Sequence, residues 1–172
     1  MRALLTVLVL TLSAASQASE IGAVRAVGVG VVGGDPTGLS VKAYLHERLH
    51  ALELTAGVDP LGYRSLYLHA QYLVHPVRLA DGYRAEMPLV VGVGGFVGSV
   101  VGPTPIRTLW EDVEPDPWEE ASGVLGARAT LGLDLDLKDL PLQLSLSAGL
   151  NLVLAPTVEP TLSVGLGARY YP

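Results

Sequence analysis

The chain has 172 residues, of which 49% are hydrophobic and only 16% charged, and its mean hydropathy is +0.41. Soluble domains carry about 25% charged residues, so this is not the composition of an ordinary soluble enzyme, and its low charge excludes a disordered chain. Yet no apolar run reaches the roughly 18 residues that a membrane helix needs, and 20 Gly and 12 Pro punctuate the sequence. Eleven basic residues against 17 acidic ones give a net charge of −6, which excludes a nucleic-acid partner because phosphates demand Lys and Arg. There are no cysteines, hence no disulfide framework and no thiolate metal site.

The N-terminus reads as a secretory signal peptide over residues 1–18. Arg2 supplies the positive start, Leu4–Leu10 the short apolar region, and Ser16-Gln17-Ala18 a small-residue cleavage site. The rest, 19–172, is expected to form one domain in an exported protein.

From there the residues alternate with period two, the signature of strands rather than helices. Eight segments alternate: 24–32, 39–45, 51–58, 65–75, 89–97, 124–135, 142–152 and 161–171. In the second, Leu39, Val41, Ala43 and Leu45 share one face and Ser40, Lys42 and Tyr44 the other. In the sixth, Leu125 through Leu135 oppose Arg128, Thr130 and Asp134. Breaker clusters such as Gly33-Gly34-Asp35-Pro36 and Asp139-Leu140-Pro141 separate the segments. The connections are too short for helical crossovers, so neighbours pair as antiparallel hairpins.

Eight such strands close into a barrel, and the position of the apolar face decides its solvent. A soluble, lipocalin-like binder points that face inward. A membrane barrel points it to lipid and keeps a polar interior. The second arrangement explains why the polar face alternates with glycine: small residues leave room inside for Tyr44, Tyr67, His69 and Arg128. The expectation is an all-β, eight-stranded antiparallel up-and-down transmembrane β-barrel in the cell outer membrane. Its lumen network is Lys42, Tyr44, Glu53, Tyr67, His69, Gln71, Arg128, Asp134 and Arg169. Lumen charges near balance, which predicts an ion-paired interior rather than a small-solute channel. The longest connection, about 98–123, falls on the outer side. The stretch Pro76–Glu86 is long for an inner turn.

The residues Gly34-x-Pro36-Thr37-Gly38-Leu39-Ser40-x-Lys42, Tyr67-Leu68-His69-Ala70-x-Tyr72 and Gly165-x-Gly167-Ala168-Arg169-Tyr170-Tyr171 carry a resemblance. They resemble a family of small bacterial outer-membrane barrels, and the whole chain resembles the eight-stranded OmpA/OmpX type. The resemblance implies that barrel fold and carries no catalytic residues with it. The chain departs from the general pattern by ending Tyr171-Pro172 rather than in an aromatic residue, and its aromatic girdle is thin.

Other motifs invite chemistry. His46-Glu47-Arg48-Leu49-His50 matches H-E-x-x-H, which on a helix places two imidazoles for zinc and a Glu as base. Here it sits between two period-two runs, where a polar turn serves better. Gly28-x-Gly30-x-x-Gly33 matches a dinucleotide fingerprint but lacks the helix that would follow. Glu53, His69 and Ser147 share the lumen face and could serve an outer-membrane hydrolase or acyltransferase if brought within hydrogen-bond reach. The long loop carries Trp110, Glu111, Asp112, Glu114, Asp116 and Trp118. It reads as a solvated acidic surface or a contact site for a cation or a protein. No cofactor is expected. The expected partner is outer-membrane lipid, with the barrel a monomer.

Overall fold

A computed structural model describes residues 21–46, 48–58, 66–100, 122–156 and 158–172. Residues 1–20, which include the segment read as a signal peptide, and Trp110, Glu111, Asp112, Glu114, Asp116 and Trp118 lie outside the described residues, as does Glu47. The strands are β1 (Val27–Gly34), β2 (Thr37–His46), β3 (His50–Val58), β4 (Leu66–Val74), β5 (Arg78–Asp81), β6 (Ala85–Val100), β7 (Ser122–Leu137), β8 (Leu142–Ala155) and β9 (Glu159–Tyr170). Each long strand pairs antiparallel with its sequence neighbours. β1 pairs with β9 (Val29↔Tyr170), and β4 with β6 (Gln71↔Gly94). The sheet therefore closes into an eight-stranded barrel of β1–β4 and β6–β9.

The alternation sets the faces. Val29, Leu54, Val93, Leu131, Leu146 and Leu166 are all exposed on the outside. Residues of the opposite parity, Ser40, Lys42, Thr55, Gln143 and Arg169, are buried to 3% exposure or less. A soluble, lipocalin-like barrel would show the reverse, so that reading does not hold. Strands tilted by about 40° rise about 2.5 Å per residue. A 10-residue strand such as β2 then spans about 25 Å, the apolar height of outer-membrane barrels.

The segment Pro76–Glu86, long for a turn, contains a ninth strand. After Val74 the chain kinks at His75-Pro76, and β5 then pairs with the start of β6 (Asp81↔Glu86). The hairpin prolongs the wall past the rim on the side where β4 has ended. Its four strand residues are all exposed, and they show no alternation that a sequence reading could use. It projects from the end that carries Ile21 and Tyr171, called the terminal end below. Arg25, inside the segment 24–32 expected to alternate, closes a turn before β1: Gly22 N donates to Arg25 O at 2.9 Å. At the opposite end, Gly34 adopts φ 117°. This is a conformation that favours glycine, and it lets the β1–β2 turn close with Thr37 Oγ1 donating to Gly34 O at 2.8 Å.

Glycines do make room inside, for Arg128 as expected and also for Tyr171 and Phe96. A Cβ on Gly28 would lie 2.4 Å from Tyr171 Cζ, one on Gly126 would lie 2.2 Å from Phe96 Cζ, and one on Gly149 would lie 2.7 Å from the Arg128 guanidinium. Tyr67 is accommodated by stacking on Phe96, with ring centroids 5.3 Å apart. The glycine pairings depend on strand register, which brings Gly28 beside β9 and Gly149 beside β7.

Candidate functional site: the barrel interior and its terminal-end mouth

The lumen residues come from six of the eight barrel strands and meet in three groups. In the first, Lys42 Nζ donates to Asp134 Oδ2 at 2.5 Å and lies 2.9 Å from His75 Nε2. A charged lysine has only donors, so His75 Nε2 accepts. Its Nδ1 then faces Leu49 O at 3.4 Å as the donor. Lys42 also sits 4.9 Å above the Tyr44 ring, an arrangement that favours the cation.

In the second group, Arg169 Nη2 pairs with Glu53 Oε2 at 2.8 Å. Its other donors go to Ser40 Oγ at 3.0 Å and Ser145 Oγ at 3.1 Å. Thr55 Oγ1 donates to Glu53 Oε1 at 3.3 Å. Every charged atom that leaves water here gains a partner, which is the condition for burying an ion pair at tolerable cost.

In the third group, Arg128 is 5% exposed, yet among the described residues it meets no carboxylate. Its Nη1 donates to Asn151 Oδ1 at 3.0 Å and Ser163 Oγ at 2.9 Å, and its Nε donates to Thr130 Oγ1 at 3.2 Å. Thr130 passes its own proton to Gln71 Oε1 at 2.8 Å. A chain of neutral dipoles thus solvates the guanidinium, which the sequence-level charge balance had assigned to a carboxylate.

Between these groups and the terminal-end mouth lies an apolar cluster of Ile21, Tyr44, Ala51, Leu73, Val90 and Tyr171. Gln143, fully buried, ties it to the wall: its Nε2 donates to Tyr44 Oη at 3.0 Å and to Asp136 Oδ1 at 2.6 Å, and it accepts from Tyr171 Oη at 3.1 Å. Gln143, Tyr171, His75, Asp136, Thr130, Asn151 and Ser163 join the named lumen network. All seven are buried and have the inward parity of the alternating segments or immediately follow such a strand, so the alternation places them on the polar face, and the structure adds their partners. A small cavity of about 30 Å3 separates the Glu53–Arg169 and Lys42–Asp134 pairs. A larger pocket of about 200 Å3 opens at the terminal-end mouth beneath the β5 hairpin.

The tempting motifs resolve against catalysis by known geometries. The His46–His50 segment is a turn from β2 to β3, not a helix, and the register places His46 opposite His50. His50 Nδ1 lies 2.6 Å from Tyr72 Oη instead. A zinc site at His46, Glu47 and His50 would need a helix, and the hairpin between β2 and β3 does not supply one. Among the described residues no group of three acidic or imidazole ligands could hold a metal. His69 Nε2 is 4.0 Å from Glu53 Oε1, and neither of its ring nitrogens has a hydrogen-bond partner among the described residues. Ser147 is thus not positioned as a nucleophile on His69. Gly28, Gly30 and Gly33 lie within or at the end of β1, and β2 rather than a helix follows, so no helix N-terminus is there to hold a pyrophosphate.

No protein-family model matches the chain, and no curated protein does. Among solved structures it is similar to the N-terminal β-barrel domain of Pseudomonas aeruginosa OprF. The TM-score is 0.64 at 13% identity, covering 85% of this chain and 96% of that one. At that identity the likeness concerns the fold. It agrees with the closure of eight antiparallel strands in chain order, and with a surface that is apolar without and polar within. The chain therefore has the fold of the OmpA-like eight-stranded outer-membrane β-barrels.

Proposed function

We propose that the protein is an integral outer-membrane barrel whose interior is closed to solutes. Its work is structural, or done through contacts at its two ends. One observation carries this reading: the pairs Arg169–Glu53 and Lys42–Asp134 cross the lumen, joining β9 to β3 and β2 to β7. A conducting pore would have to break such pairs or pass around them, and the apolar cluster at Tyr44 and Tyr171 adds a second obstacle. Lipid is the partner of the outer wall. The acidic segment around Glu111, Asp112, Glu114 and Asp116 is the proposed contact surface for a cation or a protein. The barrel acts as a monomer, since closure leaves no long-strand edge unpaired.

The test is conductance of the purified, refolded chain in planar bilayers. A closed interior gives no steady current step. A stable open pore at neutral pH would sink the reading.

A further inference from the structure

The mouth pocket holds two charged groups whose bonding is incomplete. Asp136 is 4% exposed. Its Oδ1 takes the Gln143 amide at 2.6 Å, yet among the described residues no cation lies within 4 Å of it. A buried carboxylate with only a neutral partner is costly, and a cation placed in the pocket would relieve that cost. On the hairpin side stands Arg78. Its Nη1 is 3.6 Å from Glu86 Oε2, beyond hydrogen-bond reach, and its side chain is 53% exposed. Arg48 already pairs with the same Glu86 and with the carbonyl of Ile21. Arg78 thus keeps its forked donors free for a carboxylate, the geometry in which a guanidinium binds most firmly.

The pocket between them, about 200 Å3, is lined by Tyr44, Arg48, His75, Arg78, Glu86 and Asp136, with Pro76 and Pro88 stiffening the hairpin that overhangs it. Ligand sites for drug-sized molecules run to about 300–1,000 Å3, so this one takes only a few heavy atoms. We propose that it binds a small zwitterion of the α-amino-acid type, with the ammonium group on Asp136 and the carboxylate on Arg78. The Tyr44 and His75 rings, 5.3 Å apart, form the floor against which the ligand's carbon atoms rest. This site stands whether or not the barrel conducts, because it opens at the mouth, with Tyr44 of the apolar cluster as its floor.

The test uses the full chain refolded in an uncharged glucoside detergent, which cannot itself occupy a zwitterion site. L-alanine is titrated while amide shifts are followed by NMR, with methylamine and acetate as half-ligands. The expected result is saturable shifts confined to residues around the β5 hairpin and the β2–β3 turn. Each half-ligand should bind at least about tenfold more weakly, a difference of about 1.4 kcal/mol. Asp136→Asn and Arg78→Gln should each weaken alanine binding by about tenfold. Because Arg78 is exposed, its variant keeps the test valid if Asp136→Asn fails to refold. Absence of saturable shifts, unchanged affinity in Arg78→Gln, or methylamine binding as well as alanine would each overturn the proposal.

Discussion

Gly28 on β1 and Tyr171 beyond β9 occupy a single volume: the place of a glycine Cβ lies 2.4 Å from Tyr171 Cζ and 2.6–2.7 Å from its neighbouring ring carbons. The ring cannot retreat easily. Its hydroxyl donates to Gln143, and its carbonyl accepts from the Arg25 guanidinium at 2.6 Å. One pair therefore anchors the end of the chain inside the barrel and ties it to the turn before β1.

Replacing Gly28 with Ala should overpack this contact and destabilise the barrel by about 1–3 kcal/mol. Urea unfolding in vesicles, followed by heat-modifiable gel mobility, measures it. A companion change at Gly33, where a Cβ meets nothing within 4 Å, should have far less effect. Equal losses at both positions would mean that the Tyr171 ring is not seated as described.

Removing one partner of a buried pair leaves a bare charge behind. Arg169→Met or Glu53→Gln alone should cost about 3–5 kcal/mol. The double variant should recover much of that, since the hydroxyls of Ser40 and Ser145 then face neutral groups. A double-mutant cycle on refolded protein reports the coupling, and additive losses would argue against a direct Arg169–Glu53 pair.

The outer wall should resist charge according to depth. Leu131, 58% exposed near the middle of β7, should tolerate Arg at a cost of about 2–4 kcal/mol. Leu45, next to the β2–β3 turn, should tolerate it at about 1 kcal/mol or less. Folding yield into vesicles across a urea series distinguishes the two. A wall bathed in water would accept both equally.

The hairpin carries its own acid sensitivity. Lys138 Nζ donates to Asp81 Oδ1 at 2.5 Å, and this bond, with the lysine's charge, holds the Asp81 carboxyl below its ordinary value. A carboxyl lowered on folding stabilises the folded form above its unfolded pKa of about 4, and that contribution is lost as pH falls through the lowered folded value. The protection factor of the Gly82 amide, which donates to Ala85 O at 2.9 Å, corrected for the intrinsic exchange rate at each pH, should therefore fall at acid pH. Lys138→Met should return Asp81 to the ordinary carboxylate range in an NMR titration.

Period two made most of this barrel legible in sequence. The inward set Lys42, Glu53, His69, Gln71, Arg128 and Asp134 and the outward Leu and Val rows follow from alternation alone, because the pleat sends successive side chains to opposite faces. Three features were not legible, each for a physical reason. β5 has four residues and no apolar stripe, so nothing marks it as strand until β6 offers an edge. The partners of Gly28 and Gly149 are set by interstrand register, which joins residues more than 20 positions apart. The neutral solvation of Arg128 depends on where Asn151 and Ser163 fall around the barrel. The H-E-x-x-H spacing reads in the sequence as a polar turn: a spacing of four means one face only on a helix, and here it joins the two sides of a hairpin.

The orientation of the wall, apolar face to lipid and polar face inward, can be read directly. The chain has no cysteines, so single nitroxide labels can be placed at Leu52, Leu54, Leu131 and Leu146 in turn and the protein reconstituted in vesicles. Collision rates with oxygen, which concentrates in lipid, and with a water-soluble nickel chelate read the environment at each site. High oxygen and low nickel accessibility are expected at all four sites; nickel accessibility exceeding that of oxygen at these positions would overturn the lipid-facing wall.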